Sequence, residues 1–246
     1  LKNMPGLDLA VLADERRALE RLTELVQSET DPGRYDDRRT WAIEQASSLR
    51  GSRRHALQAV GPQQGRVRPW ALINGLDEEL ERVGGGLVTI EQFAVPPDTL
   101  GGESEPGNNV YIRPAGGSEG YGIGGAVGAK LAAPDSPVVG LVGDGSMFYS
   151  DSGLWTAAHH GVPVLYVIPN NQAYGVVANA FNQAEAGMKH SGEYAGVALD
   201  GIDPVKIAEG FGVEARNVED EATVGEAIAH GLETVEREGR PFLLNV

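Results

Sequence analysis

The chain has 246 residues, of which 41% are hydrophobic and none is cysteine, and its formal net charge is −15. This length and apolar content suit one large α/β domain, or one domain with part of a neighbour, and the lack of cysteine excludes disulfides, thiolate metal sites and a cysteine nucleophile. The acidic charge argues against a nucleic-acid partner, and an anionic cofactor would need local neutralisation by a metal ion and helix N-termini.

The N-terminal part, up to residue 68, is predicted to be separate from the main domain. A short strand is predicted over residues 7–12, followed by a helix that Asp14 caps. We interpret residues 1–27 as the end of a preceding domain, with a simple N-terminal αβ hairpin as the alternative. Residues 28–68 are polar and charged, and they are predicted to form one or two amphipathic linker helices.

The main domain is predicted to span residues 69–246. An amphipathic helix over residues 70–83 leads through three glycines to a buried strand over residues 87–90. Gln92 follows the end of this strand.

A glycine-rich segment comes next, in which Gly120, Gly122 and Gly125 satisfy the pattern G-x-G-x-x-G. Asp144 follows the last of these glycines by nineteen residues, a spacing that dinucleotide-binding folds also show, so a NAD-dependent oxidoreductase is one alternative. Two features count against it. The apolar run over residues 110–112 is too short and polar-ended for a central strand, and Asp144 belongs to a second glycine turn, GDGS.

Two apolar runs, over residues 138–142 and 162–168, flank a predicted helix and are typical of adjacent buried parallel strands joined by a crossover. Asp144 follows the first run and Asn171 the second, so both are expected at the carboxyl edge of one sheet, where open α/β sheets bind ligands. Their oxygens suit a hard cation such as Mg²⁺. Backbone N–H groups left free at Gly145 would suit a phosphate.

The C-terminal part continues the alternation of strands and helices. Asp203 is predicted to cap a helix that begins at Pro204, residues 221–238 to form a further helix, and residues 241–246 a final buried strand. The whole pattern predicts an α/β fold with a central, mostly parallel sheet.

The motif GDG, followed by twenty-four residues and NN, resembles the signature of thiamine-diphosphate (ThDP) enzymes of the pyruvate decarboxylase and acetolactate synthase superfamily. The flanking sequences GDGSMFYSDSGLWTAA and NNQAYG are most similar to benzoylformate decarboxylases. The resemblance covers residues 69–246 and implies the three-layer α/β/α ThDP-binding fold. An ordinary αβ unit with a glycine turn is the alternative interpretation.

The resemblance also implies site residues. Asp144, the Asn171 side chain and the Ala173 backbone carbonyl would hold Mg²⁺. Val177 and Phe181 would border the substrate pocket, with core packing as the alternative for both. The resemblance implies diphosphate contacts at Gly145, Ser146 and Tyr149 and a pyrimidine contact at the Gly117 carbonyl. The full set of residues implied in cofactor binding is Gln92, Gly117, Ser118, Glu119, Gly143, Gly145, Ser146, Tyr149 and Tyr174.

The resemblance further implies a 2-oxo acid decarboxylase or carboligase that depends on ThDP and Mg²⁺, with a non-catalytic ThDP-binding module as an alternative. In the family, an activating glutamate lies in an N-terminal pyrimidine-binding domain of the partner subunit, and we find no such domain in this sequence. We therefore expect a fragment or one subunit of a split enzyme, inactive alone. A cytoplasmic homodimer or homotetramer is expected, either alone or with a separate pyrimidine-domain subunit, and without membrane contact.

Glu119 is the position where the chain departs from the family. The alignment places it at a bulky apolar residue beneath the cofactor, so its carboxylate would favour the protonated thiazolium ring and slow the loss of the ring proton. This hypothesis makes Glu119 the catalytic position of a slow, specialised or catalytically silent site. The alternative is that Glu119 caps the N-terminus of the following helix.

Overall fold

The computed structural model describes residues 8–59, 61–91, 109–113, 119–185 and 187–246. It forms two compact units, residues 1–55 and 56–246. Three residues from the sequence predictions, Gln92, Gly117 and Ser118, lie outside the described residues.

The first unit is helical. Helix α1 (Glu15–Glu29) begins at Asp14, whose Oδ1 accepts a hydrogen bond from the Arg17 N–H at 3.0 Å, which confirms the predicted cap. Helix α2 (Asp36–Ala59) follows a 3₁₀ turn. The predicted strand over residues 7–12 is wrong for the described residues 8–12, which pair with no other strand, because an apolar run becomes a strand only where a partner supplies hydrogen bonds.

The second unit is built on a six-stranded parallel sheet in the order β2-β1-β3-β4-β6-β5. The strands are β1 (Gly86–Glu91), β2 (Asn109–Ile112), β3 (Val138–Val142), β4 (Leu165–Ile168), β5 (Glu214–Asn217) and β6 (Phe242–Asn245). The four inner strands are mostly buried, whereas the edge strands are partly buried (β2) or mostly exposed (β5). The predicted pairing of β3 with β4 in parallel is confirmed.

Helices cover both faces of the sheet. The helices of this unit are α3 (Pro69–Arg82), α4 (Gly122–Ala132), α5 (Asp144–Met147), α6 (Gly153–His159), α7 (Gly175–Gln183), α8 (Gly187–Ser191), α9 (Pro204–Gly210) and α10 (Val224–Glu233). Successive residues of a strand point to opposite faces, so Leu141 packs in the core under α3 and α10 while Val142 packs under α4 and α6. The three-layer α/β/α architecture is confirmed. Among the described helices, none has the length and apolar character needed to cross a bilayer.

The predicted helix over residues 221–238 is confirmed as continuous helical structure, although its two ends are not α-helical. It consists of a 3₁₀ turn (Glu221–Thr223), α10 and a π-helical turn (Thr234–Glu238). Asp220 caps the first turn by accepting from the Ala222 N–H at 3.0 Å.

The Glu221 side chain links this turn to the start of α3. It accepts hydrogen bonds from the Arg68 side chain, with Nε to Oε2 at 2.8 Å, and from the Arg68 backbone N–H at 3.1 Å. The side-chain hydrogen bond from Arg68 lowers the pKa of the Glu221 carboxyl. A lowered pKa means that the pair stabilises the fold above the ordinary glutamate pKa of about 4.3 and that this stabilisation is lost as the pH falls through the lowered value.

We therefore expect Glu221→Gln to lower the melting temperature at neutral pH and to leave it unchanged at a pH below the lowered pKa. Thermal unfolding followed by circular dichroism at both pH values measures this. Glu219→Gln removes the same charge from an exposed position nearby and serves as the control. An equal loss at both pH values would show that the charge of Glu221 does not contribute.

Candidate functional site

The carboxyl ends of β3 and β4 carry the two side chains that the sequence places at one edge of the sheet, Asp144 and Asn171. The Asp144 N–H donates to the carbonyl oxygen of Pro169 at 3.4 Å, which joins the two strand ends. The Gly143 N–H donates to the carbonyl oxygen of Glu91 at 2.9 Å and links the end of β1 to the same place. A cavity of about 490 Å³ lies at this edge, where open α/β sheets bind ligands.

The cavity brings together every described residue for which the sequence implied cofactor or metal binding. Val177 also lines it, whereas Phe181, one turn further along α7, is not part of its wall. The lining residues are Glu119, Gly143, Asp144, Gly145, Ser146, Tyr149, Pro169, Asn171, Ala173, Tyr174, Gly175, Val176, Val177 and Asn179. Sequence reasoning missed Pro169, Gly175, Val176 and Asn179, for which no pattern distinguishes a wall position from a surface position.

Asp144 is the buried charged group of this cavity. Its side chain is 4% exposed, and its Oδ2 atom is buried without a hydrogen-bond partner. Burial raises the pKa of the Asp144 carboxyl, and backbone N–H groups at Gly145 and at residues 171–173 partly offset that rise. Buried polar atoms are normally paired, so an unpaired carboxylate oxygen on a residue of the cavity wall indicates a position for a cation.

The turn after β4 presents further oxygens. Asn171 Oδ1 accepts from the Ala173 N–H at 3.0 Å, and the Ala173 carbonyl accepts from the Gly175 N–H at 2.9 Å. Each of these oxygens keeps a second lone pair. The described residues contain no group of three or more His, Asp or Glu side chains that could hold a metal ion, so a cation here would depend on one carboxylate together with neutral oxygens.

A row of asparagines anchors this turn to the sheet. Asn170 Oδ1 accepts from the Gln172 N–H at 3.0 Å, and Asn170 Nδ2 donates to Asn245 Oδ1 at 3.0 Å. Asn245 Nδ2 in turn donates to Asn217 Oδ1 at 2.7 Å. Gln172 has a φ of 54°, a left-handed conformation that costs energy for a residue with a side chain and that the surrounding bonds must hold in place. The sequence analysis missed this row, although all three asparagines lie at or just after strand ends.

Two tyrosines form an aromatic wall beside the GDGS turn. The rings of Tyr149 and Tyr174 have centroids 6.3 Å apart. A Cβ atom at Gly145 would lie 2.7 Å from the Tyr174 ring, so glycine is required for this close approach.

The start of α4 lies beside the cavity and is capped by Glu91. This residue is 2% exposed, and its carboxylate oxygens accept hydrogen bonds from the N–H groups of Gly120 and Gly122. Burial raises the pKa of the Glu91 carboxyl, and these N–H groups partly offset the rise. This role of Glu91 was not predicted from the sequence. The feature that could have indicated it is an acidic residue at the end of a buried strand.

The cap by Glu91 contradicts two alternative interpretations of the sequence, a dinucleotide site at α4 and a cap of α4 by Glu119. A dinucleotide pyrophosphate would need the helix N-terminus within the glycine pattern, but the N–H groups of Gly120 and Gly122 already donate to the Glu91 carboxylate, and β2 before this helix is an edge strand. The alternative that Glu119 caps α4 is also wrong. Its carboxylate instead accepts a hydrogen bond from Ser146 Oγ at 2.7 Å, at the cavity wall.

Comparisons with known proteins agree with this geometry. A benzoylformate decarboxylase of Pseudomonas aeruginosa is 37% identical over 142 residues, which are 58% of this chain and 25% of that protein. An acetolactate synthase large subunit of Escherichia coli, isozyme 1, is 33% identical over 106 residues, 43% of this chain and 18% of that protein. The chain thus spans about a quarter of the first relative's length.

Solved structures give the same result. The thiamine diphosphate-dependent 4-hydroxybenzoylformate decarboxylase of Rhodococcus jostii superposes with a TM-score of 0.59 and 31% identity, covering 76% of this chain and 33% of that one. Residues 103–246 match the family described as thiamine pyrophosphate enzyme, C-terminal TPP binding domain. Because this match covers more than half of the chain, the protein belongs to the ThDP-dependent enzymes and carries their C-terminal cofactor-binding domain.

Proposed function

We propose that this chain holds ThDP together with Mg²⁺ in the cavity at the carboxyl ends of β3 and β4, as part of a 2-oxo acid decarboxylase or carboligase. The observation that carries the proposal is the buried, unpartnered Oδ2 atom of Asp144 in the cavity wall. The relatives include a benzoylformate decarboxylase and an acetolactate synthase, which supports this class of reaction.

The residues of the cavity fit both groups. Asp144, Asn171 Oδ1 and the Ala173 carbonyl would hold the cation, because carboxylate, amide and carbonyl oxygens are the ligands that Mg²⁺ takes in proteins. Gly145, Ser146 and Tyr149 would contact the diphosphate. A buried anion such as Asp144 needs a positive partner, and a bound Mg²⁺ supplies one that the described lining of the cavity does not.

Bound ThDP would supply a carbon nucleophile that adds to the carbonyl group of the 2-oxo acid and accepts the electrons released when carbon dioxide leaves. The chain's own part is binding and orientation. Tyr174, held against Gly145, and Val177 on α7 form a partly apolar wall that would exclude water from the reacting end. Gly143 would let the backbone approach the cofactor closely.

Calorimetric titration of the chain with ThDP, in the presence of Mg²⁺ and again after EDTA treatment, tests this proposal. We expect binding only with Mg²⁺, because the diphosphate would otherwise meet a cavity that contains carboxylates and no described basic side chain. Equal affinity in both titrations would exclude the metal site, and NAD in place of ThDP should give no heat in either.

A non-catalytic ThDP-binding module is the second candidate, supported by the unusual carboxylate of Glu119 in the cavity. The two candidates differ in turnover. The complete protein, including a domain or subunit with an activating glutamate, should decarboxylate an aromatic or aliphatic 2-oxo acid if the first proposal holds. Cofactor binding without carbon dioxide release from any such substrate would favour the module.

We further propose that the domain assembles with a second copy of itself. Leu131 on α4 is 67% exposed and Trp155 on α6 is 49% exposed, and Gly124 and Gly128 leave the outer side of α4 open to close approach. A second α4 could pack on this surface. Sedimentation equilibrium should show a dimer at high protein concentration, and a monomer alone would contradict this assignment.

A further inference from the structure

The charges around the cavity are unusual for a site that is to bind a diphosphate. Asp144 and Glu119 both line the cavity, and its described lining contains no lysine, arginine or histidine. Glu91 lies next to the cavity wall, because its backbone carbonyl accepts a hydrogen bond from the Gly143 N–H at 2.9 Å; burial raises the pKa of its carboxyl, and the charge of Glu119 adds to that rise. An anionic ligand therefore meets a wall that carries only negative side-chain charge.

Glu119 also occupies a donor that an anion would use. Ser146 Oγ donates its hydrogen bond to Glu119 Oε2 at 2.7 Å. A hydroxyl has a single proton to donate, so a phosphate oxygen at this position has to replace the carboxylate as the acceptor. The bond holds Glu119 beside the GDGS turn, on the side of the cavity where the diphosphate contacts are proposed.

We propose that Glu119 sets the charge balance of the cavity, strengthening the binding of a lone divalent cation and weakening the binding of a diphosphate group. This inference rests on the proposed function for the identity of the ligand. One Mg²⁺ carries two positive charges, and the carboxylates of Asp144 and Glu119 already balance both. The diphosphate would then add negative charge that nothing in the described lining neutralises, whereas a neutral residue at 119 would leave one positive charge available to it.

The test is Glu119→Gln in the full chain. Glutamine keeps an oxygen that accepts the hydrogen bond from Ser146, so the variant removes the charge and little else. With saturating Mg²⁺, the dissociation constants of ThDP and of inorganic diphosphate should both fall about tenfold, because a like charge beside the bound diphosphate is removed. With Mn²⁺ alone, followed by electron paramagnetic resonance, the dissociation constant of Mn²⁺ should rise about tenfold, because the variant removes a negative charge that attracts the cation.

Glu226→Gln is the matched control. It removes the same charge from an exposed position on α10, on the opposite face of the sheet, and should change none of the three constants. Thiamine without phosphate groups reports on the ring end of the ligand alone, and its binding should not become tighter in Glu119→Gln.

The binding measurements on Glu119→Gln distinguish the proposed role of Glu119 from its alternatives. Unchanged constants for Mn²⁺ and diphosphate would overturn the inference. Weaker ThDP binding with an unchanged diphosphate constant would overturn it too, and would show that the carboxylate attracts the thiazolium ring. If neither the unaltered chain nor the Glu119→Gln variant binds ThDP, while the dissociation constants of Mn²⁺ and diphosphate shift as expected, the proposed function fails and the role of Glu119 stands.

Discussion

Asp144→Asn is expected to abolish Mg²⁺-dependent binding of ThDP, raising its dissociation constant by more than about 100-fold, since loss of a ligand exceeds the effect of losing an outer-shell partner. The substitution removes the carboxylate of the proposed metal site and keeps the shape of the side chain. Without that charge, the cation is held by neutral oxygens only, and the diphosphate loses its counter-ion.

The same substitution should leave the melting temperature of the ligand-free chain unchanged or higher. Asp144 is almost fully buried and its Oδ2 atom has no hydrogen-bond partner, so its charge opposes folding when no cation is bound. A structural role would give the opposite sign, because removing a stabilising group lowers the melting temperature. Stability and binding should therefore change independently.

Asp151→Asn is the control for this pair of measurements. Asp151 lies seven residues further along the chain, is only half-buried and does not line the cavity. Titration calorimetry gives the dissociation constant for ThDP of each variant, and differential scanning fluorimetry gives its melting temperature. A dissociation constant for ThDP that is the same in Asp144→Asn and in the unaltered chain would exclude Asp144 as a metal ligand.

Gly122→Ala is expected to lower the free energy of unfolding by about 1–3 kcal/mol, the usual cost of overfilling a packed site. A Cβ atom at this position would lie 2.6 Å from Val142 Cγ2 and 2.7 Å from Glu91 Oε2. Both neighbours are buried, so neither can move away without disturbing the end of β3 or the cap of α4. The substitution should also disturb the adjacent cavity, because Glu91 would have to give up its bond to the Gly122 N–H.

Gly124→Ala in the same helix should have the opposite effect. A Cβ atom there has no neighbour within 4 Å, and alanine is about 0.5–1 kcal/mol better than glycine inside a helix. Urea unfolding of both variants measures the difference directly. If the two alanine substitutions changed stability by equal amounts, the close contact between α4 and Glu91 would not be a feature of the folded chain.

Much of the second unit follows from the sequence because its signals are local. Apolar runs such as residues 138–142 are long enough to be strands, and the glycine turn after them ends the strand at a definite residue. The positions of Asp144 and Asn171 at neighbouring strand ends follow from that pattern together with the rule that parallel strands end at one edge. Family membership follows from the same residues, since the spacing of GDG and NN reflects one strand-helix-strand unit.

Local sequence patterns do not predict structure that depends on contacts with distant parts of the chain. The apolar residues 8–12 resemble a strand in composition, but they form none because no neighbouring strand pairs with them. The segment predicted as a helix over residues 221–238 is helical throughout, but it begins with a 3₁₀ turn that Asp220 caps and in which Glu221 binds Arg68, 153 residues away in the chain. No periodicity in the sequence encodes that ion pair.

The sequence by itself determines the α/β class, the family and the neighbouring strand ends that carry Asp144 and Asn171. Only the tertiary structure decides which glutamate caps α4. Glu91 and Gly122 are 31 residues apart and meet because β1 pairs with β3 while α4 packs across both. That contact leaves Glu119 to face the cavity and bond to Ser146, a consequence of the order of strands in space that residue order alone does not specify.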